Sequence, residues 1–204
     1  MAATPFSADL LTRREALRRV SLLLGGATLI GESAWLAGCA TENVPRAAAG
    51  SVFSASEIAL LAEIADTILP TTTTPGAKAA GVGPFMALMV TDVYDSREQK
   101  IFRNGLATLQ SECRKLHGTD FMSAAPTQRT TLLEQFDREQ YEYTRQHPNG
   151  AAPHYFRMMK ELTLLGYFTS EIGYTQAMRY TETPGRFDPC VPYTPGDKAW
   201  APHA

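Results

Sequence analysis

From residue 54 to about residue 180 the apolar residues return at steps of three and four, and no stretch sustains a period of two. A half-buried strand needs strict alternation, whereas an amphipathic helix needs the longer step. The pattern therefore predicts an all-α fold, a small helical bundle in which each helix buries one stripe.

The helix ends are written into the same region. Ser54-Ala55-Ser56-Glu57 reads as a capping box, and Ile58, Leu61, Ile64, Ala65 and Ile68 follow it on one stripe until Pro70 stops the run. PTTTTPGAKAAGVG, residues 70 to 83, is a loop of turn residues, and Pro84 suits the first turn of a helix with Phe85, Leu88, Met89 and Val93 as its apolar positions. Ser96 opens a third helix that carries Ile101, Phe102, Leu106, Leu109, Cys113 and Leu116 and stops at His117-Gly118. Pro126 begins a fourth, with Leu132, Leu133, Phe136, Gln140 and Tyr143 on one face, ending before HPNG. A fifth, from about Ala152 to Gly166, places Phe156, Met159, Leu162 and Leu165 together, and Ser170-Glu171 caps a short helix to about Tyr180.

Beyond Tyr180 the character changes. TETPGRFDPCVPYTPGDKAWAPHA contains five prolines and two glycines, which argues for an extended Pro-rich C-terminal arm rather than a helix. Spaced aromatics on such an arm give it anchors, for its own bundle or for another chain.

The other end reads as an address. Arg13 and Arg14 precede Arg18, Arg19 and an uncharged run from Val20 to Gly31, the charged-then-apolar order of an export signal, with the arginine pair pointing to the twin-arginine route. As a helix that run reaches about 18 Å, short of the ~30 Å of a bilayer core. Leu36-Ala37-Gly38-Cys39 then resembles a lipoprotein lipobox, in which Cys39 takes a lipid; ordinary cleavage nearby is the alternative. The expected location is the periplasm, with the chain held at a membrane. The segments are thus 1–39 signal, 40–53 linker, 54–181 helical domain and 182–204 arm.

Without the signal's Arg13, Arg14, Arg18, Arg19, Asp9, Glu15 and Glu32, the chain has 15 basic and 18 acidic residues, net −3, and no basic field for nucleic acid. His117, His147, His154 and His203 form no i, i+4 pair and no Cys-x-x-Cys occurs, so no zinc, iron–sulfur or covalent haem signature is present. Gly81-Val-Gly83 lacks the third glycine and the preceding strand of a dinucleotide site. Glu63 and Asp66, three residues apart on the first helix, read as solvated charge. The sequence offers no catalytic, cofactor-binding or metal residues.

GYFTSEIGYTQAMRY, residues 166 to 180, is the most distinctive string, dense in glycine and aromatics. Together with FSASEIALLAEIADTILP, TPGAKAAGV, the preceding KELTLL and the later TPGRFDPC, it resembles the gluconate 2-dehydrogenase subunit 3 family. The resemblance implies a non-catalytic small subunit of a sugar dehydrogenase complex. FAD would belong to a large partner subunit, haem to a cytochrome subunit, and export and support to the small chain. The expected contacts with the large subunit are Tyr167, Phe168, Tyr174, Phe187, Tyr193 and Trp200.

Cys190 is left over if Cys39 is lipidated and Cys113 is packed in its helix, and then suits an inter-subunit disulfide; a Cys113–Cys190 bridge is the alternative. A different class of function also fits the same residues, a stand-alone periplasmic lipoprotein that acts as a binding module.

Overall fold

The computed structural model describes residues 51–148, 152–183, 185–186 and 190–201, all in the unit Arg46–Ala204. Arg13, Arg14, Cys39 and Phe187 lie outside the described residues. Five α-helices make the architecture: α1 (Ala55–Ile68), α2 (Val82–Asp92), α3 (Ser96–His117), α4 (Pro126–Gln146) and α5 (Tyr155–Phe168). A 3-10 turn, Phe121–Ser123, precedes α4, and a π turn, Gly173–Ala177, follows α5. No strand occurs among the described residues, so the fold is the expected helical bundle.

The caps formed as the residues dictate. Ser54 Oγ accepts from Glu57 N–H at 3.3 Å while the Glu57 carboxylate takes the Ser54 N–H at 2.8 Å. Asp95 and Glu98 repeat the arrangement at the start of α3, and Gly118 ends that helix in the left-handed region at φ 69°.

Helix α5 is the centre, packing on all four other α-helices. Phe102, Phe136, Phe156, Leu61, Ile64, Met86, Leu109 and Met159 are fully buried between them. Each such side chain contributes about 1.5–3 kcal/mol by leaving water. Close approach is bought with glycine: a Cβ on Gly105 would meet the Tyr155 ring at 2.4 Å, and one on Gly166 would meet Phe85 at 2.5 Å.

One helix, α2, turns differently from the expected stripe. In α2 the buried positions are Val82, Gly83, Met86, Ala87 and Val90, whereas Leu88 and Val93 face solvent and Phe85 and Met89 are half-buried. The cause lies at the start: Gly81 enters at φ 72°, and Gly83 lies so close to α1 that a Cβ would meet Ala62 at 2.6 Å. Leu116 at the end of α3 and Leu165 in α5 are exposed as well.

Arg129 fastens three segments together. Its Nε donates to Ala124 O at 2.9 Å, its Nη2 to Met122 O at 2.9 Å, and its Nη1 pairs with Glu63 of α1. The guanidinium also lies over the Phe121 ring, 5.7 Å from its centroid. Glu63 receives Lys78 Nζ at 2.8 Å too, and that bond, followed by the charges of Arg129 and Lys78, holds its carboxyl below the usual range against the opposing effect of burial. Glu63 is therefore a clamp, not solvated charge. Asp66 likewise accepts the Lys78 N–H at 3.0 Å and helps to shape the 70–81 loop.

Candidate partner interface

The distinctive string between Gly166 and Tyr180 forms the end of α5, a π turn and the first half of a bridge. Tyr167 points inward: it is 5% exposed, and its hydroxyl donates to Pro75 O at 2.8 Å, which ties α5 to the 70–81 loop. Its role inside the bundle leaves little of its surface for another chain. Phe168, set edge-on to Tyr167 with centroids 5.2 Å apart, is exposed.

The regular helix expected to reach about Tyr180 does not form; a wide π turn replaces it. Ser170 Oγ donates to Tyr167 O at 2.6 Å and accepts from Gly173 N–H at 3.1 Å. Gly173 passes so close to that carbonyl that a Cβ would lie 1.9 Å from Tyr167 O, so only glycine fits. Met178 N–H then bonds Gly173 O at 3.0 Å, the i to i+5 closure of the wide turn, and the backbone becomes extended.

That change of direction delivers Arg179 to the arm. Arg179 N–H donates to Ala199 O and Ala201 N–H to Arg179 O, both at 2.8 Å, an isolated parallel bridge opposite Trp200. The Arg179 guanidinium covers the Trp200 ring at 4.7 Å, and its Nε has no hydrogen-bond partner. Lys198 Nζ donates to Gln176 O, and Ala201 is buried. The arm is thus docked on its own bundle through its last described residues.

Around this bridge the surface is aromatic. Tyr174 packs against Tyr180 with centroids 5.3 Å apart; Tyr180 is exposed, Trp200 is 50% exposed and Tyr193 70%. Of the expected contacts, Phe168 ends α5, Tyr174 and Trp200 belong to the turn and the bridge, Tyr193 projects from the arm, Tyr167 is buried, and Phe187 is outside the described residues. Arg179, which holds the arm, escaped the sequence reading; its one signal was being the sole basic residue within a tyrosine-rich string.

The titratable groups with shifted affinity for protons serve architecture. Ser54 hydrogen bonds lower Glu57, burial raises Tyr94, Cys113 and Tyr155, and burial lowers His154. Catalytic centres gather such groups in one cleft. Here they are spread over caps and core, and of them Glu57 alone lines the groove of about 540 Å³ between α1 and α3. Among the described residues no three His, Cys, Asp or Glu side chains are placed to hold a metal ion, and no helix is long and apolar enough to cross a membrane.

The described residues thus form a small helical domain with exposed aromatic side chains gathered around the Arg179–Trp200 bridge. The family model for gluconate 2-dehydrogenase subunit 3 matches residues 55–185, and the chain belongs to that family. It is an accessory subunit of a dehydrogenase complex, which implies partner subunits. No curated protein and no solved structure matches the chain.

Proposed function

We propose that this chain is the non-catalytic small subunit of a periplasmic, flavin-dependent sugar dehydrogenase, escorting the FAD-binding subunit through twin-arginine export and stabilising it afterwards. The observation that carries the reading is the Arg13-Arg14 signal ahead of a domain of this family. The twin-arginine route carries folded proteins, and a large subunit folded around FAD can leave bound to a small chain that bears the signal. In this reading Cys39 is lipidated and holds the complex at the membrane, where a cytochrome subunit with haem receives the electrons.

Phe168, Tyr174, Tyr193 and Trp200, with Phe187, supply the contact area for the large subunit. Cys190 is exposed and Cys113 is buried, and neither is bonded to the other. Cys190 is thus the thiol available for an inter-subunit disulfide, which non-reducing electrophoresis of the purified complex detects as a larger species that reductant dissolves.

The experiment is the paired replacement Arg13→Lys and Arg14→Lys, followed by fractionation and assay of the flavin subunit. Retention of flavin activity in the cytoplasm is expected. Normal periplasmic flavin activity refutes the escort role.

A further inference from the structure

Helix α2, VGPFMALMVTD, has no polar side chain before Thr91 and no charge before Asp92, its last residue. A surface helix ordinarily turns a polar face to water, and one that is apolar all round is a buried helix. In α2 only one side is covered. Val82, Met86, Ala87 and Val90 pack into the bundle, while Leu88 and, just past the helix, Val93 are exposed and Phe85 and Met89 are half-buried. With 11 residues the helix reaches about 16 Å, too short to cross a bilayer.

The end of α5 continues this surface. Leu164, Leu165 and Phe168 stand on its outer side at steps of three and four, all exposed, where the same side one turn earlier carries the Arg157–Glu161 ion pair. Phe85 joins the two rows, because its ring lies so close to Gly166 that a Cβ there would meet it at 2.5 Å. Single exposed apolar residues are ordinary, whereas a run of them over two adjoining helices marks an interaction surface.

Charge narrows the occupant. No basic residue occurs between Lys78 and Arg97 or between Lys160 and Arg179, and the charges within those stretches are Asp92, Asp95, Glu161 and Glu171. A helix that rests on lipid rims its apolar face with Lys and Arg, so this face is poorly made for a membrane. A second copy meeting the same face across a two-fold axis would set acidic edge against acidic edge. Phe168, one of the contact residues of the proposed interface, is also the end of this face, so the two are continuous.

We propose that the outer side of α2 and the end of α5, centred on Leu88 and Leu165, form a second, apolar part of that interface and dock on an apolar surface of the large partner subunit. The proposal rests on the chain being a subunit of a dehydrogenase complex.

The test is the full chain carrying Leu88→Gln and Leu165→Gln, titrated with the large subunit. Both leucines are exposed and Gln is a good helix former, so the free variant melts within about 4 °C of the wild type. It binds the large subunit at least about tenfold more weakly, the scale of losing interface anchors. The factor is the same at about 0.01 M and about 0.15 M salt, because salt screens charges and not apolar contact. Leu88→Ala with Leu165→Ala, which trims area without adding a polar group, gives a smaller loss in the same direction. Leu116→Gln, at the end of α3 and no less exposed, leaves the Kd within about twofold.

Unchanged affinity in both folded pairs, while the wild type binds, overturns the face alone. A larger fall in the melting temperature of the free Gln pair also overturns it, since the chain's own residues would then cover the leucines. So does wild-type dimerisation, or pelleting with phosphatidylglycerol–phosphatidylethanolamine vesicles, that the Gln pair abolishes, because the occupant is then a second copy or lipid. Failure of the wild-type chain to bind the large subunit overturns the subunit reading and the face with it.

Discussion

Replacing Arg129 with Met tests the clamp that joins α1, the 3-10 turn and α4. The side chain is 15% exposed and Glu63 is 18% exposed, so solvent screens the pair little. The substitution leaves the Ala124 and Met122 carbonyls without their donor and Glu63 with Lys78 as its only cation. Hydrogen bonds to charged groups contribute about 1.5–3 kcal/mol each, and this part-buried pair costs less to break than the about 3–5 kcal/mol of a fully buried one. Met restores part of the apolar contact with Phe121, and Lys78 retains part of the Glu63 charge balance. A net loss of about 3 kcal/mol follows, and for a domain of this size it lowers Tm by about 6–12 °C.

The pH dependence is the stronger check. The folded Glu63 carboxyl titrates below its ordinary value of 4.5 because of Lys78 and Arg129. A carboxyl lowered in the folded state gives stability that is complete above the unfolded value and lost as pH falls through the folded one. Thermal melts followed by circular dichroism from pH 7 down to about pH 3 therefore show a steeper acid decline in the wild type than in Arg129→Met. Equal declines, or a Tm within about 2 °C at pH 7, refute the clamp, since ~1 kcal/mol or less would then be at stake.

Gly173→Ala forces its Cβ onto the Tyr167 carbonyl, 1.9 Å away; a loss of at least ~2 kcal/mol in chemical denaturation is expected, the scale of overpacking. Tyr167→Phe removes the bond to Pro75 O and costs about 1 kcal/mol, with faster amide exchange in the 70–81 loop as the local readout. His154 Nδ1 accepts the Phe156 N–H at the start of α5, and burial lowers its proton affinity from the ordinary 6.5. Its contribution is complete above that value and fades as pH falls, so His154→Ser, which keeps a capping oxygen, flattens the melting profile between about pH 7 and pH 5.

The helix starts were legible because a cap is local chemistry. Ser54 and Glu57 lie three residues apart, and nothing distant changes their bond. The turning of α2 about its axis was not, because the close approach of Gly83 to Ala62 is set by a neighbour in space. A count of apolar residues favoured Leu88 and Val93; a backbone contact that only glycine permits favoured the opposite face. The π turn escaped for a related reason, since a period of 3.6 residues contains no sign that one turn will widen. Glycine and tyrosine marked residues 166 to 180 as unusual, but not that Tyr167 would bond Pro75 while Phe168 stayed outside. Arg179 was invisible without its partner, because its role exists only once Trp200 has returned from twenty-one residues further along the chain.

The Arg179–Trp200 bridge closes the chain into a hoop fixed at both feet. A polymer pinned twice samples far fewer shapes than a tail pinned once, so Tyr193, which stands between the feet, is confined to a much narrower range of positions than on a free tail. A cut in the backbone between the feet would return that freedom to Tyr193 without altering a single side chain.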